Sequence, residues 1–167
     1  RPKNFPRLNT GVNINMMHQS GGFFFFWDGL DTAQYEPFQG DVVRESARTV
    51  SIDPFINFYD NKDNRHSLRM RLYFQETENT NNEFVNSDMY FLDYTFLKRY
   101  DEKDFTITSG LTGYYTNAKT LTFGNHNSGN IGAYAQFEKK IAKVLTINAG
   151  VRLEYYQVDS LRTRHEL

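Results

Sequence analysis

Cysteine is absent from this 167-residue chain, which excludes a disulfide framework, a thiolate metal site and a cysteine nucleophile. A long apolar run is also missing. The densest apolar cluster is Phe23–Trp27, whereas a transmembrane helix needs about 20 consecutive apolar residues. The charges nearly cancel, with 19 Lys and Arg against 20 Asp and Glu. Because no basic excess is available to neutralise phosphates, the composition gives no support to nucleic-acid binding.

Aromatic residues, in contrast, are plentiful: they make up 16% of the chain, with 15 Phe and 11 Tyr. Such residues favour β-strands and membrane–water interfaces. A strand of a membrane β-barrel alternates lipid-facing apolar residues with lumen-facing polar ones, so it needs no continuous apolar run. The composition therefore permits a β-barrel.

Hydrophobic and polar residues alternate with a period of two along most of the chain, which is typical of strands with two different faces. The alternation is clearest at Val144–Gln157, where Ile147 and Val151 fall on one side and Arg152 and Glu154 on the other. Comparable segments predict about eight strands: Leu8–Met17, Gly22–Asp28, Thr49–Tyr59, Arg65–Phe74, Ser87–Lys98, Asp104–Thr116, Asn130–Lys140 and Val144–Gln157. Gly22–Asp28 does not alternate, and we interpret it as a strand end that crosses a membrane interface.

The predicted connections alternate between tight and long. The tight ones are His18–Gly21, Asp60–Asn64, Arg99–Lys103 and Ile141–Lys143. The long ones are Gly29–Arg48, Gln75–Asn86 and Ala118–Gly129. Bacterial outer-membrane barrels have this order, with short periplasmic turns and longer outer loops. The sequence therefore predicts an all-β fold: a segment of an antiparallel, up-and-down transmembrane β-barrel with alternating tight turns and long loops.

Several stretches resemble the barrel of TonB-dependent outer-membrane receptors. They are Ile52–Phe55 followed by Tyr59–Arg69, then Gly132–Lys140, and then Ala149–Tyr156. The last two are similar to the A-Y-x-Q strand and the subsequent G-x-R-x-E-Y strand that recur in the middle of such barrels. The resemblance extends over about Leu8 to Ser160 and implies a barrel of 22 strands.

Receptors of this family also have an N-terminal plug, a TonB box and commonly a terminal strand ending in Phe. The resemblance covers none of these three features. We therefore expect residues 1–167 to be part of one β-barrel domain, with the plug domain and the C-terminal barrel strands lying outside them. As a function, the resemblance implies import of a scarce nutrient across the Gram-negative outer membrane. The substrate would be an iron chelate, a cobalamin-like cofactor or a glycan.

The partners implied by the resemblance are the lipid bilayer, the TonB complex acting through the plug, and a small-molecule or glycan substrate. A surface lipoprotein is compatible with it, and no cofactor is implied. The chain has no G-x-S-x-G, P-loop or G-x-G-x-x-G motif, which favours a protein that is not an enzyme.

Two alternatives remain open at the level of sequence. A small outer-membrane barrel with a structural or adhesive role is one, because about eight strands can close around a filled interior. A soluble, lipocalin-like carrier is the other, with its apolar face turned inward around a pocket. Alternation alone does not identify the outward face.

Four charged residues share the polar side of the alternation and are candidates for lining a lumen: Arg69, Arg71, Arg152 and Glu154. They would contact substrate or plug, or simply form a polar, salt-bridged wall. His126 with Asn125 and Asn127 is predicted to lie in a long loop, where it would contact a ligand or be plain solvated surface. No metal site is predicted, since the four histidines are far apart in sequence and the Asp60–Asn64 turn lacks the bidentate Glu of a calcium loop.

Overall fold

The computed structural model describes residues 7–28, 36–141 and 144–159. They form seven strands: β1 Leu8–Phe23, β2 Val43–Tyr59, β3 Arg65–Asn79, β4 Phe84–Tyr100, β5 Phe105–Thr120, β6 Gly124–Ile141 and β7 Leu145–Val158. Helix is limited, in these ranges, to the 3-10 turns Gln39–Asp41 and Asp101–Lys103. None of the helical segments described is long and apolar enough to cross a membrane.

The seven strands form a single sheet in the order β1-β2-β3-β4-β5-β6-β7, and each strand is antiparallel to the next. Every strand therefore pairs with its neighbours in the chain, which is an up-and-down arrangement. The prediction of an all-β, antiparallel, up-and-down fold is confirmed. The sheet is open, with β1 and β7 at its two edges.

The number of strands is seven rather than about eight, because the first tight turn is absent. His18–Gly21 lies inside β1, where His18 pairs with Arg48 and Gly21 pairs with Glu45. The polar residues before Thr49, predicted to belong to a loop, form the partner strand. Nor is Gly22–Asp28 a separate strand, since β1 ends at Phe23. Among the described residues 24–28, Trp27 forms an isolated bridge to Pro37.

The predicted alternation of tight and long connections is also wrong. Asn79 ends β3 and Phe84 begins β4, so Gln75–Asn86 is mostly strand. Residues 121–123 suffice to join β5 to β6 within the predicted loop Ala118–Gly129. The polar residues in these segments lie on paired strands. The backbone ladder overrides the weak intrinsic preference of Asn for strands, whereas Thr, which is β-branched, favours them.

The hairpin between β3 and β4 shows how so short a connection closes. The Asn79 side-chain oxygen accepts hydrogen bonds from the backbone N–H groups of Asn81 and Glu83, both at 3.0 Å. Asn82 has φ 59°, the left-handed conformation that Asn tolerates well. Of the connections with described residues on both sides, only the one between β1 and β2 is long.

The remaining tight turns agree with prediction where they are described. Residues 60–64 join β2 to β3, and residues 101–104 join β4 to β5. Residues 142–143, in the predicted turn Ile141–Lys143, lie outside the described residues, as do residues 29–35 of the predicted loop Gly29–Arg48, and His165.

No hydrophobic side chain is buried anywhere in the described ranges. The buried polar side chains there are Asn64 and Ser67, each 6% exposed. The described residues thus form one layer of sheet, and no other described part of the chain covers either face. The character of those two faces determines their chemistry.

Candidate functional site

The register of the strands divides their residues between two faces. Residues directly opposite one another on neighbouring strands lie on the same face, and the face alternates along each strand. What we name the apolar face contains the paired row Ile14, Ile52, Leu72, Tyr90 and Tyr115. The opposite, polar face contains the paired row Arg69, Asp93, Thr112, Gly132 and Glu154.

The apolar face carries a continuous band of hydrophobic side chains, the apolar band, that no other described part of the chain covers. The band occupies alternate residues from Leu8 to Met16 on β1 and from Leu145 to Tyr155 on β7. Met16 is 77% exposed and Leu153 is 73% exposed. Isolated exposed hydrophobic residues are common on protein surfaces, but a contiguous patch of this extent marks a contact with another apolar phase or molecule.

The apolar band runs obliquely to the rows of paired residues. The row that starts inside the band at Ile14 reaches β7 at Gln157. This position lies beyond Tyr155, the last apolar residue that β7 places on the apolar face. The strands are therefore inclined to the direction in which the band crosses the sheet.

Aromatic side chains concentrate at both edges of the apolar band. At one edge, the ring of Tyr90 contacts those of Phe74 and Tyr115, with centroids 6.0 and 6.5 Å apart. At the other edge, the His66 ring lies between Phe58 and Phe96, with centroid distances of 5.7 and 5.1 Å.

Beyond the first of these edges the strands continue, and the apolar face becomes polar. A row of paired residues crosses six strands there: His18, Arg48, Glu76, Asn86, Lys119 and Asn125. We name this region the polar extension. It contains the start of β2, residues 43–48, and strand residues of the predicted loops Gln75–Asn86 and Ala118–Gly129, which explains why these segments looked like loops in the sequence.

Two predicted lumen residues, Arg69 and Arg71, lie on β3 on the polar face but have different surroundings. Arg71 donates from Nε and from its terminal NH2 group to the two carboxylate oxygens of Asp53 on β2, each at 2.7 Å. Arg69 makes no hydrogen bond or ion pair with any described residue, and it is exposed. Asp93, its opposite residue on β4, accepts instead from Thr95 at 3.1 Å.

The other two predicted residues, Arg152 and Glu154, form a second polar cluster on β7. Arg152 Nε donates to Glu154 at 2.5 Å, and its NH2 group donates to Thr112 on β5 at 3.3 Å. The Tyr156 hydroxyl also donates to Glu154. All four predicted residues thus share one face, in two separate clusters, whereas lining of a lumen remains a prediction.

Between the clusters, Tyr134 on β6 reaches across β5 to Thr95 on β4, and their hydroxyl oxygens lie 2.8 Å apart. The Arg152 guanidinium lies 6.0 Å from the centroid of the Tyr134 ring. Sequence reasoning missed Asp53, Thr95 and Tyr134. Their position on the polar side of the alternation was visible, but their contacts depend on the register between strands.

The structure corrects the position of the predicted loop residues. Asn125, His126 and Asn127 lie within β6, not in a loop, because the ladder with β5 continues to Gly124. His126 lies on the polar face and its Nε2 is 2.6 Å from the Phe123 carbonyl oxygen. Asn125 and Asn127 lie on the opposite face, so the three side chains do not converge on one site. Ligand contact by any of them remains a prediction.

The turn between β2 and β3 is organised by Asp60. Its carboxylate accepts from the Asn64 side chain at 2.7 Å and from the backbone N–H groups of Lys62 and Asn64 at 2.8 and 2.9 Å. These hydrogen bonds, that from the Asn64 side chain foremost, lower the pKa of Asp60 to about 2. The carboxylate is thus engaged by the turn itself. In the part of the chain that the structure describes, no group of three or more His, Cys, Asp or Glu side chains could hold a metal ion.

No protein-family model, no curated protein and no solved structure matches this chain.

Proposed function

We propose that this sheet is a membrane-spanning wall of a β-barrel in the Gram-negative outer membrane. The apolar band would contact lipid and the polar face would line the lumen. The uncovered apolar band is the observation that carries the proposal. Burying a large apolar side chain is worth about 1.5–3 kcal/mol, and the described residues leave such side chains exposed along all seven strands.

The dimensions of the strands support the proposal. They contain 14 to 18 residues, whereas a tilted strand crosses the hydrocarbon core in about 9–11 residues. The excess length corresponds to the polar extension, which would stand outside the bilayer. On this proposal Phe23–Trp27, at the far end of β1, lies beyond the membrane interface rather than in it.

Two further features agree with a barrel wall. The strands of a membrane barrel tilt by about 35–45° to the barrel axis. A band of residues parallel to the membrane therefore runs obliquely to the paired rows, as the apolar band does. The lipid-facing surface of such a barrel is bordered by aromatic residues at both interfaces. Tyr90 and Tyr115 at one edge of the band and Phe58 and Phe96 at the other are suited to that position.

The described strands would be part of a larger barrel. Bacterial single-chain barrels have an even number of strands, and the seven described here leave β1 and β7 without a partner on their outer sides. Long unpaired edges attract further strands. We propose that strands from the rest of the protein pair with both edges.

We further propose that the barrel belongs to a TonB-dependent receptor that imports a scarce nutrient, such as an iron chelate, a cobalamin-like cofactor or a glycan. Support for this step comes from the barrel motifs, among them Gly132–Lys140 and Ala149–Tyr156. On this proposal the clusters at Arg71 and Arg152 lie on the lumen wall.

Single-cysteine labelling of β7 tests the barrel wall, and the absence of native cysteine from this chain makes each label unique within it. Cysteine would replace Val151, Arg152, Leu153 or Glu154 in the intact protein in outer-membrane vesicles. We expect a lipid-phase quencher to reach labels at 151 and 153. A water-soluble, membrane-impermeant thiol reagent should modify 152 and 154. The reverse pattern, or lipid exposure at all four positions, would contradict the proposal.

Uptake measurements test the receptor assignment separately. Cells would be supplied with each candidate nutrient in limiting amounts, with and without a functional TonB. We expect uptake through this protein to require TonB. Equal uptake in both backgrounds would reject the receptor while leaving the labelling result for the barrel wall intact.

A further inference from the structure

Arg69 is a charged side chain for which the described residues supply no partner, and it stands beside the ion pair of Arg71 and Asp53. Both carboxylate oxygens of Asp53 are engaged by Arg71, whereas the Arg69 guanidinium has no partner among the described residues. The Arg71–Asp53 pair carries no net charge, and Asp93 lies opposite Arg69 without a hydrogen bond or ion pair to it. A guanidinium presents its N–H donors in a rigid planar fork that matches two oxygens of one carboxylate. The N–H donors of Arg69 are therefore available to bind an anion.

The cleft in which Arg69 lies, the Arg69 cleft, has aromatic walls. Phe55 lies opposite Arg69 on β2, and Phe91 lies opposite Arg71 on β4. The Phe55 ring is packed over Gly11 of β1, where an added Cβ would come within 2.6 Å of two ring carbons. Phe55 is thereby held toward β1, which keeps the space above the two arginines open.

The volume of this cleft, about 660 Å³, falls within the range of about 300–1,000 Å³ of small-molecule sites. Its lining combines apolar rings with a few polar groups, including Asn13 of β1. A flat ring that bears an oxyanion would place the ring against Phe55 or Phe91 and its oxygens on the fork of Arg69.

From this combination we infer that the Arg69 cleft binds a small planar carboxylate attached to an aromatic ring. The inference rests on the proposed function for access, because the cleft is open to solutes if the polar face lines a lumen. It adds to that function a ligand class and a location on the wall. Asp93 stands opposite Arg69 on β4 but forms its hydrogen bond with Thr95, at 3.1 Å, and none with Arg69.

Fluorine NMR titration with 4-fluorobenzoate tests the inference, with the intact protein in detergent micelles and with neutral 4-fluorobenzamide as the control ligand. We expect saturable binding of the benzoate at least about tenfold tighter than that of the benzamide. That ratio is the size expected for a charge-assisted hydrogen bond. This comparison uses the wild-type protein, so it does not depend on the folding of a variant. Equal binding of the two ligands would overturn the inference.

The variants Arg69→Gln and Arg99→Gln then locate the site. Arg99 is a matched control, since it lies on the polar face, is exposed and has no partner among the described residues, but stands outside the cleft. We expect Arg69→Gln to weaken benzoate binding at least about tenfold and Arg99→Gln to leave it within twofold. Equal losses in both variants would overturn the inference. A second outcome would also overturn it: the wild type binds no benzoate, and Arg69→Gln has a lower unfolding temperature than the wild type. Arg69 would then pair with a carboxylate of the protein itself.

The outcomes separate this inference from the proposed function. Benzoate binding without the expected labelling of β7 would retain the ligand site and reject the barrel wall. The expected labelling of β7 without benzoate binding would retain the barrel wall and reject the ligand site.

Discussion

The phenol ring of Tyr134 lies directly over Gly110, its opposite residue on the neighbouring strand. A Cβ at Gly110 would come within 2.5 Å of two atoms of the phenol and within 2.4 Å of the Tyr94 carbonyl oxygen. Because no side chain stands at position 110, Tyr134 can cross β5 and reach Thr95 on β4 at 2.8 Å. One glycine thus permits a polar contact that ties three strands together.

We predict that Gly110→Ala destabilises the sheet by about 1–3 kcal/mol, the usual cost of overpacking a tightly filled position. The Tyr94 carbonyl is backbone and cannot rotate away. Denaturant unfolding of the intact protein measures the change. Gly21→Ala is the matched control, because a Cβ at this glycine, also on the polar face, meets nothing within 4 Å. A similar loss in both variants would show that the packing of Tyr134 is not responsible.

The bidentate pair of Asp53 and Arg71 should contribute measurably to stability, whereas the exposed pair of Arg7 and Asp63 should not. The carboxylate of Asp53 is 20% exposed, while that of Asp63 is 79% exposed. We predict a coupling free energy of up to about 1 kcal/mol for the first pair and close to zero for the second. Double-mutant cycles with Asp53→Asn and Arg71→Gln, and with Asp63→Asn and Arg7→Gln, measure both. A larger coupling for the exposed pair would contradict the prediction.

The free energy of unfolding should fall in acid as the carboxylate of Asp60, in the turn between β2 and β3, is protonated. The folded pKa of Asp60 is about 2, below the ordinary value of 3.8. A carboxyl group with a depressed pKa stabilises the folded state above its ordinary pKa, and this contribution disappears as the pH falls through the folded pKa. The affected window is therefore about pH 4 to pH 2.

Unfolding free energies measured across that window should decrease with falling pH in the wild type and decrease less in Asp60→Asn. Asp63→Asn is the control, since the exposed carboxylate of Asp63 lies in the same turn but does not accept the hydrogen bonds that close it. If the Asp60→Asn variant kept the full pH dependence, another carboxylate would be its source.

A charged side chain introduced on the apolar band should destabilise the folded protein if lipid covers the band. We predict that Val151→Arg, near the middle of the band on β7, destabilises the protein in a bilayer by about 2–4 kcal/mol. Gln157→Arg lies on the same face of the same strand but beyond the band, where the cost is about 0–1 kcal/mol. Folding equilibria in lipid vesicles give both values. Equal costs at the two positions would argue against a depth-dependent apolar environment.

The two faces of the sheet were predictable, but the lengths of the strands were not. Ile147 and Val151 share a face opposite Arg152 and Glu154 because the pleat fixes a period of two, whatever the strand pairs with. His18–Gly21 and Gln75–Asn86 were misassigned because both faces of the strands become polar there. Without alternation, a paired polar strand and a loop have similar composition.

The contacts within the polar clusters were harder to predict the farther apart their residues lie in the sequence. Arg152 and Glu154 are two residues apart on one strand, so their shared face follows from the alternation alone, and the structure adds their hydrogen bond. The pairing of Arg71 with Asp53 depends on the register between β2 and β3, and the Tyr134–Thr95 contact depends on two registers and on Gly110. These relationships are set by the whole ladder rather than by local sequence.

The lack of any buried hydrophobic side chain in the described ranges changes what a stability measurement on this sheet means. For a protein with a core, the unfolding free energy belongs mainly to the chain. Here the apolar contacts that favour folding are made with whatever lies against the band. If lipid or detergent covers the band, as proposed, we expect the unfolding free energy to vary with the acyl-chain length of the host detergent or lipid, and so with the thickness of the apolar layer around the sheet.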